Sequence, residues 1–296
     1  MAGQLKTFDD ATVRVCLECH APIAAKTDEI DLSILEAGNE AVGCIACHVR
    51  EGKVLGPRNL VETPHGPIVG DRRFSKAEFC GPCHQFEPGD VAVNGKLLEN
   101  TLEEWRSSRY GQLGVTCQAC HMAAGYHGFR GIHDPATVRR ALSLTVERTS
   151  DGIRMELLNR GAGHFVPTYI TPRLQLRVTR LDNGQTLGTW QIHRRMDWTP
   201  SDGWREISDT RLAPAEQRLL AVSLPADASV SVDLAVFPDA DYHDRVYPYL
   251  IRTLSEELDR EALRRLKDAL KASGTSDYEL YRVTCGAAAE APYRCK

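Results

Sequence analysis

The chain has 296 residues, 42% of them hydrophobic, so it is long enough to bury a sizeable core and to hold two ordinary domains. Its 36 Lys and Arg against 40 Asp and Glu give a formal net charge of −4, which offers no reason to expect nucleic acid as a partner. No apolar run approaches the roughly 18 residues that span a bilayer, so no transmembrane segment is expected.

In chain order, the first informative stretch is Cys16-Leu17-Glu18-Cys19-His20. The same C-x-x-C-H spacing returns at Cys44-Ile45-Ala46-Cys47-His48, Cys80-Gly81-Pro82-Cys83-His84 and Cys117-Gln118-Ala119-Cys120-His121. This spacing suits two thioether bonds to one haem, with the following imidazole held against the iron. Composition alone yields one such motif in a chain of this length about once in a hundred times, so four are not coincidence. Paired C-x-x-C zinc sites do not require a His after each second Cys, and thioredoxin-like pairs occur singly on a βαβ unit. Four haem c groups are therefore expected. Each ferric bis-imidazole haem adds about one negative charge through its propionates, which makes the loaded protein markedly anionic.

Short helices around the motifs, joined by loops, are expected to about residue 135, with haem faces supplying much of the buried apolar area. Between the second and third motifs, residues 52–73 are rich in Gly and Pro and read as an irregular loop, with His65 braced by Pro64 and Pro67. After the fourth motif, residues 126–135 bring His127 and His133 within a dozen residues of His121.

The texture changes at Ala141. Residues 141–148 and 153–158 alternate apolar and polar around the turn signal Ser150-Asp151-Gly152, and 174–180 and 189–193 do so around Asp182-Asn183-Gly184. Further strands are expected over 219–224, 230–237 and 278–284. Such spacing argues for an antiparallel β-sandwich-like domain. One late helix is expected, capped at Thr253-Leu254-Ser255-Glu256 and carrying Leu254, Leu258, Ala262, Leu266 and Leu270 at helical spacing before Gly274. The fold class is thus α+β, with a mostly irregular, short-helical tetrahaem domain over residues 1–138 and the β-domain over 139–296.

Cys285 and Cys295 are the two cysteines outside the motifs. Haem c is attached outside the cytoplasm, where thiols are oxidised, so a disulfide closing this terminal loop is expected, with two free thiols the alternative. The same logic makes the protein exported, periplasmic or extracellular. No signal-peptide apolar core precedes Asp9, so Met1 is not expected to be the native start.

Six histidines lie outside the motifs: His65, His127, His133, His164, His193 and His243. Four haems need at most four distal imidazoles, so all four irons can be bis-His, low-spin and saturated. His164 sits in Gly161-Ala162-Gly163-His164-Phe165-Val166-Pro167, where the glycines allow close backbone approach and the proline stiffens the exit. It is the leading distal ligand, with His65, His127 and His133 beside it. His193, on a strand, and His243, in an acidic loop, read as ordinary histidines.

The segments Glu78-Phe79-Cys80-x-x-Cys83-His84, Glu104-Trp105-x-x-Ser108, Gly114-x-Thr116-Cys117-x-x-Cys120-His121-Met122 and His127-Gly128-Phe129-x-Gly131 resemble the secreted multihaem c-type cytochromes with repeated C-x-x-C-H motifs. Asn159-Arg160-x-x-x-His164-x-x-Pro167-Thr168 and Asp209-x-Arg211-x-x-Pro214-x-Glu216 are similar to the β-domain that follows the haems in that family, so the resemblance covers residues 16 to about 240. It implies bis-His tetrahaem electron transfer, with His164, His127, His133 and His65 as distal ligands and redox proteins as partners. Members include soluble carriers and homopolymers, the subunits of conducting extracellular filaments, in which a neighbouring subunit supplies a distal ligand. The charged late helix and the Cys285/Cys295 pair depart from the recognised motifs. The competing reading is a multihaem reductase of nitrogen or sulfur oxyanions with one five-coordinate haem.

Overall fold

The computed structural model describes residues 8–26, 41–199, 201–287 and 292–296. Its first helix, α1 (Asp10–His20), is capped by Asp9, whose Oδ1 accepts from Thr12 N at 2.8 Å, and it buries Val13 and Leu17. The chain then forms very short elements: α2 (Cys44–His48), β1 (Val49–Arg50), β2 (Lys53–Gly56), β3 (Ile68–Gly70), α3 (Gly81–His84), β4 (Ala92–Val93) and β5 (Lys96–Leu97). Next come α4 (Thr101–Ser107), α5 (Arg109–Gln112), α6 (Cys117–His121) and α7 (Pro135–Ala141). Ser108 Oγ accepts from Tyr110 N and Gly111 N, and Asp134 Oδ1 accepts from Thr137 N, so α5 and α7 start at side-chain caps.

From residue 142 the chain is dominated by antiparallel strands: β6 (Leu142–Thr149), β7 (Gly152–Asn159), β8 (Arg173–Arg180), β9 (Thr186–Ile192), β10 (Arg194–Thr199), β11 (Gly203–Asp209), β12 (Gln217–Ser223) and β13 (Val230–Phe237). Helices α8 (Tyr247–Leu254) and α9 (Arg260–Ser273) precede β14 (Tyr278–Cys285) and β15 (Tyr293–Arg294). One four-stranded sheet has the order β12-β7-β6-β15 and a second the order β14-β13-β8-β9. Val146, Met155 and Leu157 from the first share one core with Leu176, Val178, Val232 and Leu234 from the second, all at most 1% exposed. The chain is α+β, and the period-two patterns placed the paired strands because one face of each is buried. Gly184 closes the β8–β9 turn at φ 72°, a conformation in which a Cβ is strained.

Cys285 and Cys295 form the expected disulfide, with Cα atoms 5.0 Å apart. Cys285 belongs to one four-stranded sheet, while Cys295 directly follows β15 of the other and donates N–H to Val146 O. The bridge therefore ties the two sheets together at the edge of their common core.

Three expectations need correction. Residues 52–73, read as an irregular loop, hold β2 and β3, paired in parallel with Val54 opposite Ile68. The single late helix is two helices: Thr253 Oγ1 donates to Tyr249 O at the end of α8, and Asp259, not Thr253, caps the helix that follows by accepting from Ala262 N at 2.7 Å. The end of α8 at Leu254 and the aspartate cap at Asp259 divide what the leucine spacing joined. The hairpin β10–β11 was not anticipated, because one of the two buried positions of β10, beside Met196, is filled by Arg194, 1% exposed and paired with Glu206, where a strand pattern calls for an apolar residue.

Candidate functional site

Each C-x-x-C-H motif occupies one helical turn: the last turn of α1, or α2, α6, and α3 with the preceding Cys80. Residues three and four apart share a helix face, so one turn aims two thiols and an imidazole the same way. The four turns converge. Cys19 lies beside Cys83, and its Sγ is 3.9 Å from Pro82 O. Cys80 lies beside Cys117 and within electrostatic reach of Cys47. The third motif thus stands among the other three, and burial, followed by the charges of His121 and His20, lowers the pKa of His84.

Two motif imidazoles face a second imidazole. His121 and His164 have ring centroids 6.3 Å apart with planes inclined by 21°, and His48 and His127 have centroids 5.9 Å apart at 49°. Two imidazoles on opposite sides of one metal, each bound at about 2.0 Å, have ring centres roughly 6 Å apart. Nδ1 of His48 bonds Leu55 O at 2.7 Å, Nδ1 of His121 bonds Arg130 O at 2.6 Å, and Nδ1 of His164 bonds Phe165 O at 2.8 Å. A carbonyl partner fixes the proton on Nδ1 and leaves the Nε2 lone pair for a metal. Burial also lowers the pKa of His164 and His20, favouring the neutral ring that ligation needs. The residues at the second and fourth motifs therefore fit an iron porphyrin held by two thiols and two imidazoles. Beside the second, a cavity of about 250 Å³ is lined by Cys47, Phe74 and Phe79, apolar surface for a ring, and by Arg50 and Lys76 together with the Arg73–Asp71 pair and Glu78.

The loop carrying His164 is held at nearly every polar group. Asn159 Nδ2 donates to His164 O at 3.0 Å and Leu212 O at 3.2 Å, and its Oδ1 accepts from Ala162 N. Phe165 N donates to Glu104 Oε2 at 3.0 Å, Arg211 lies 4.8 Å over the Phe165 ring, and Thr168 Oγ1 is 2.9 Å from Thr101 Oγ1. A Cβ on Gly163 would stand 3.0 Å from Ser108 Oγ and 3.1 Å from Trp105 Cδ1, which is why glycine precedes the histidine. The scattered fragments Glu104-Trp105-x-x-Ser108, Asn159 to Thr168 and Asp209-x-Arg211 thus converge on one ring position.

The other histidines lie elsewhere. His65 is exposed in its loop, where its N–H is bonded to Thr63 Oγ1. His133 places Nε2 3.0 Å from Asp239 Oδ2, with its side chain 60% exposed. Among the described residues the ring pairs at the motifs involve His48 and His121, and neither His65 nor His133 faces His20 or His84 in such a pair. Nδ1 of His243 lies 3.2 Å from both Leu270 O and Ser273 Oγ at the end of α9, and the backbone N–H of His193 donates to Thr210 Oγ1.

Sequence reasoning missed the charges behind the loop. Lys96 pairs with Glu206 and Asp209 at 2.8 and 3.1 Å, Arg194 with Glu206 at 2.7 Å, and Arg211 with Asp209 at 2.9 Å and Glu104 at 3.8 Å. The network joins the segment between the third and fourth motifs to β10 and β11. Its partners are as much as 113 residues apart, and charged residues in sequence read as solvent-facing unless the partner is known.

No known family model matches the sequence, and no curated protein matches it. Among solved structures, a penta-haem cytochrome c552 from Thermochromatium tepidum shares the fold, with a TM-score of 0.61 over 92% of this chain and 83% of that one, at 20% sequence identity. The α+β architecture is therefore one used by a multihaem c-type cytochrome. No helix among the described residues is long and apolar enough to cross a membrane.

Proposed function

We propose that this chain is a tetrahaem c-type cytochrome that transfers electrons. The observation that carries the reading is the convergence of four C-x-x-C-H turns, two of them facing a second imidazole at the separation one iron requires. Cys16, Cys19, Cys44, Cys47, Cys80, Cys83, Cys117 and Cys120 hold the four haems by thioether bonds, and His20, His48, His84 and His121 are the proximal ligands. His164 and His127 are the distal ligands of the fourth and second irons, and His65 and His133 serve the remaining two. A bis-His iron exchanges electrons without an open site for substrate, and closely packed haems pass electrons by hopping. In this reading residues 1–138 are the haem-bearing domain and 139–296 a β-sandwich scaffold, and the solved neighbour, a penta-haem cytochrome, belongs to the same class.

Haem c chemistry places the protein in the periplasm or outside the cell, with redox proteins as partners. Self-assembly into a conducting filament extends the reading: His65, exposed in its loop, is available to a haem of a second copy. A reductase with one five-coordinate haem is the second reading, favoured by the engagement of His133 Nε2 with Asp239, which leaves that ring unavailable until the contact opens. Haem quantification and intact mass of the protein matured in an exporting host test the proposal, with four covalent haems per chain expected and fewer contradicting it. Negative-stain microscopy at high concentration tests the filament: a monomer without filaments excludes it.

A further inference from the structure

The hairpin β10–β11 is a two-stranded ribbon that joins neither of the four-stranded sheets. Its root is fixed: the buried guanidinium of Arg194 donates to Glu206 across the ribbon and to the carbonyls of Val93, Lys96 and Leu97. Its outer end is tied by Thr199 Oγ1, which accepts from Asp202 N and donates to Asp202 Oδ2, both at 3.1 Å. Between root and tip, Trp198 stands directly opposite Trp204. Residues so paired project from one face with Cβ atoms about 5 Å apart, which puts the two indoles side by side. Met196 continues that face toward the root and is wholly buried, whereas Trp198 and Trp204 are 42% and 50% exposed. Tyr249 of α8, 42% exposed, meets Trp198 edge-on with ring centroids 6.2 Å apart. The other two tryptophans are engaged inside the protein: Trp105 donates its Nε1–H to Val115 O, and Trp190 packs on the core between the sheets. Among the described residues no acceptor meets Nε1 of Trp198 or Trp204. Three large rings held in water on a fixed ribbon mark a contact surface.

Area, charge and shape choose the occupant. An aromatic side chain buries about 150–250 Å² in full, so this half-exposed trio offers roughly 200–350 Å². A stable protein partner, or a second copy of this chain, needs about 800 Å² on each side. Around the rings, Asp197 pairs with Arg245, which also binds Asp241, Asp202 pairs with Arg205, and Arg252 lies 5.9 Å over the Tyr249 ring. Three carboxylates against three guanidiniums leave the rim without net charge, which favours neither a polyanion nor a cation. The rings stand open along the ribbon, a shape suited to a chain lying across them rather than to a small molecule enclosed in a cavity. A sugar ring has the matching chemistry: one face of C–H groups, whose positive hydrogens meet the negative face of an aromatic ring, and a rim of hydroxyls.

We propose that Trp198, Trp204 and Tyr249 form a binding site for a neutral polysaccharide. Successive sugar rings of one chain stack on the aromatic faces, and their hydroxyls bond to the indole N–H groups and to the Asp and Arg side chains of the rim. The rings are rigid and already in place, so little conformational freedom is lost when the polymer binds. The ribbon thereby anchors the protein to a glycan surface, a function separate from electron transfer and independent of how many haems the chain carries.

The test is depletion of the full chain, matured in an exporting host, from solution by suspended cellulose, granular starch, insoluble xylan or insoluble mannan, with an alginate gel as the anionic comparator. Wild type is expected to bind at least one of the neutral polymers, and to bind it equally well in about 0.5 M NaCl, which screens charge but not stacking. Trp204→Ala and Trp198→Ala are each expected to weaken that binding at least about tenfold. Trp204→Tyr, which keeps a ring, is expected to retain most of it. The melting temperature and absorption spectrum of Trp204→Ala are expected to match wild type, because the ring is half-exposed and touches no motif. Failure to bind any of the neutral polymers overturns the proposal, and so does binding that persists when both tryptophans are replaced by Ala. Binding confined to alginate and removed by salt also overturns it, as does a wild-type dimer in light scattering that Trp204→Ala dissociates, since a second copy then covers the rings.

Discussion

The motif region and the β-strand region solve the problem of burial in opposite ways. Strands β6 to β14 enclose an apolar core of their own, with Leu142, Leu174, Leu176 and Val232 wholly buried. In the motif region, the first motif packs on a small cluster of Val13, Leu17, Ala21 and Ala24, while Ile45, Leu113, Tyr126 and Phe129, near the second and fourth motifs, are 48–64% exposed. Large apolar side chains beside cysteine-bearing turns suit a fold whose missing core is the haem faces. On the proposed tetrahaem reading, one region takes its stability from its own side chains and the other from the haems attached to it.

Withholding haem breaks this comparison most sharply. Replacing Cys117 and Cys120 by Ser is expected to lose the fourth haem and to leave α6 and the segment after it exchanging amide hydrogens orders of magnitude faster, while the amides of Leu174 and Val232 stay protected. Hydrogen exchange read by mass spectrometry reports both halves at once. A uniform loss of protection would show that the two regions are not separable in this sense.

Next in size is the clamp between the regions. Glu104→Ala removes the acceptor of Phe165 N and one partner of buried Arg211, a loss expected to cost about 3 kcal/mol in thermal unfolding. It is also expected to lower the low-spin fraction of the haem-loaded protein, because the loop that aims His164 is freed. Replacing Cys285 and Cys295 by Ser sharpens the contrast from the other side. Closing a loop of this length is worth about 2–3 kcal/mol, and the change is expected to lower the melting temperature without moving the haem spectrum.

A smaller, pH-dependent effect comes from Glu99. Its pKa in the folded chain, about 7, lies above the 4.5 of an unfolded glutamate, so the folded state binds the proton more tightly. That contribution is complete below about 4.5 and is lost as pH rises through about 7. The melting temperature of wild type relative to Glu99→Gln is therefore expected to fall across this window, as calorimetry at several pH values can check. The smallest effect is expected from Lys96→Ala: the side chain is 48% exposed, and its loss is expected to cost at most about 1 kcal/mol.

The motifs and most strands were legible because each has a period: three and four residues for the C-x-x-C-H turns, two for β6, β7, β8 and β13. Legibility failed where charge substitutes for apolar packing. Arg194 fills a buried strand position because Glu206 and the carbonyls of Val93, Lys96 and Leu97 accept from its guanidinium, and Asp259 starts a helix that leucine spacing alone extends back to Thr253. At the site, Gly163 signalled a close approach, and the approaching groups are Ser108 and Trp105. The network of Lys96, Glu104, Arg194 and Arg211 gave no local signal, since each of its members in isolation reads as a surface residue.

The central claim is that four converging turns hold four irons, each closed by two imidazoles. Electron paramagnetic resonance of the ferric, haem-loaded protein, with spins counted against total haem, tests it most directly. The account predicts four low-spin irons per chain, no binding of nitrite by the ferric protein and no binding of carbon monoxide by the reduced protein before ligands are displaced. A high-spin ferric signal amounting to one haem per chain, quenched by an added ligand, would contradict it and make the protein a reductase with an open iron.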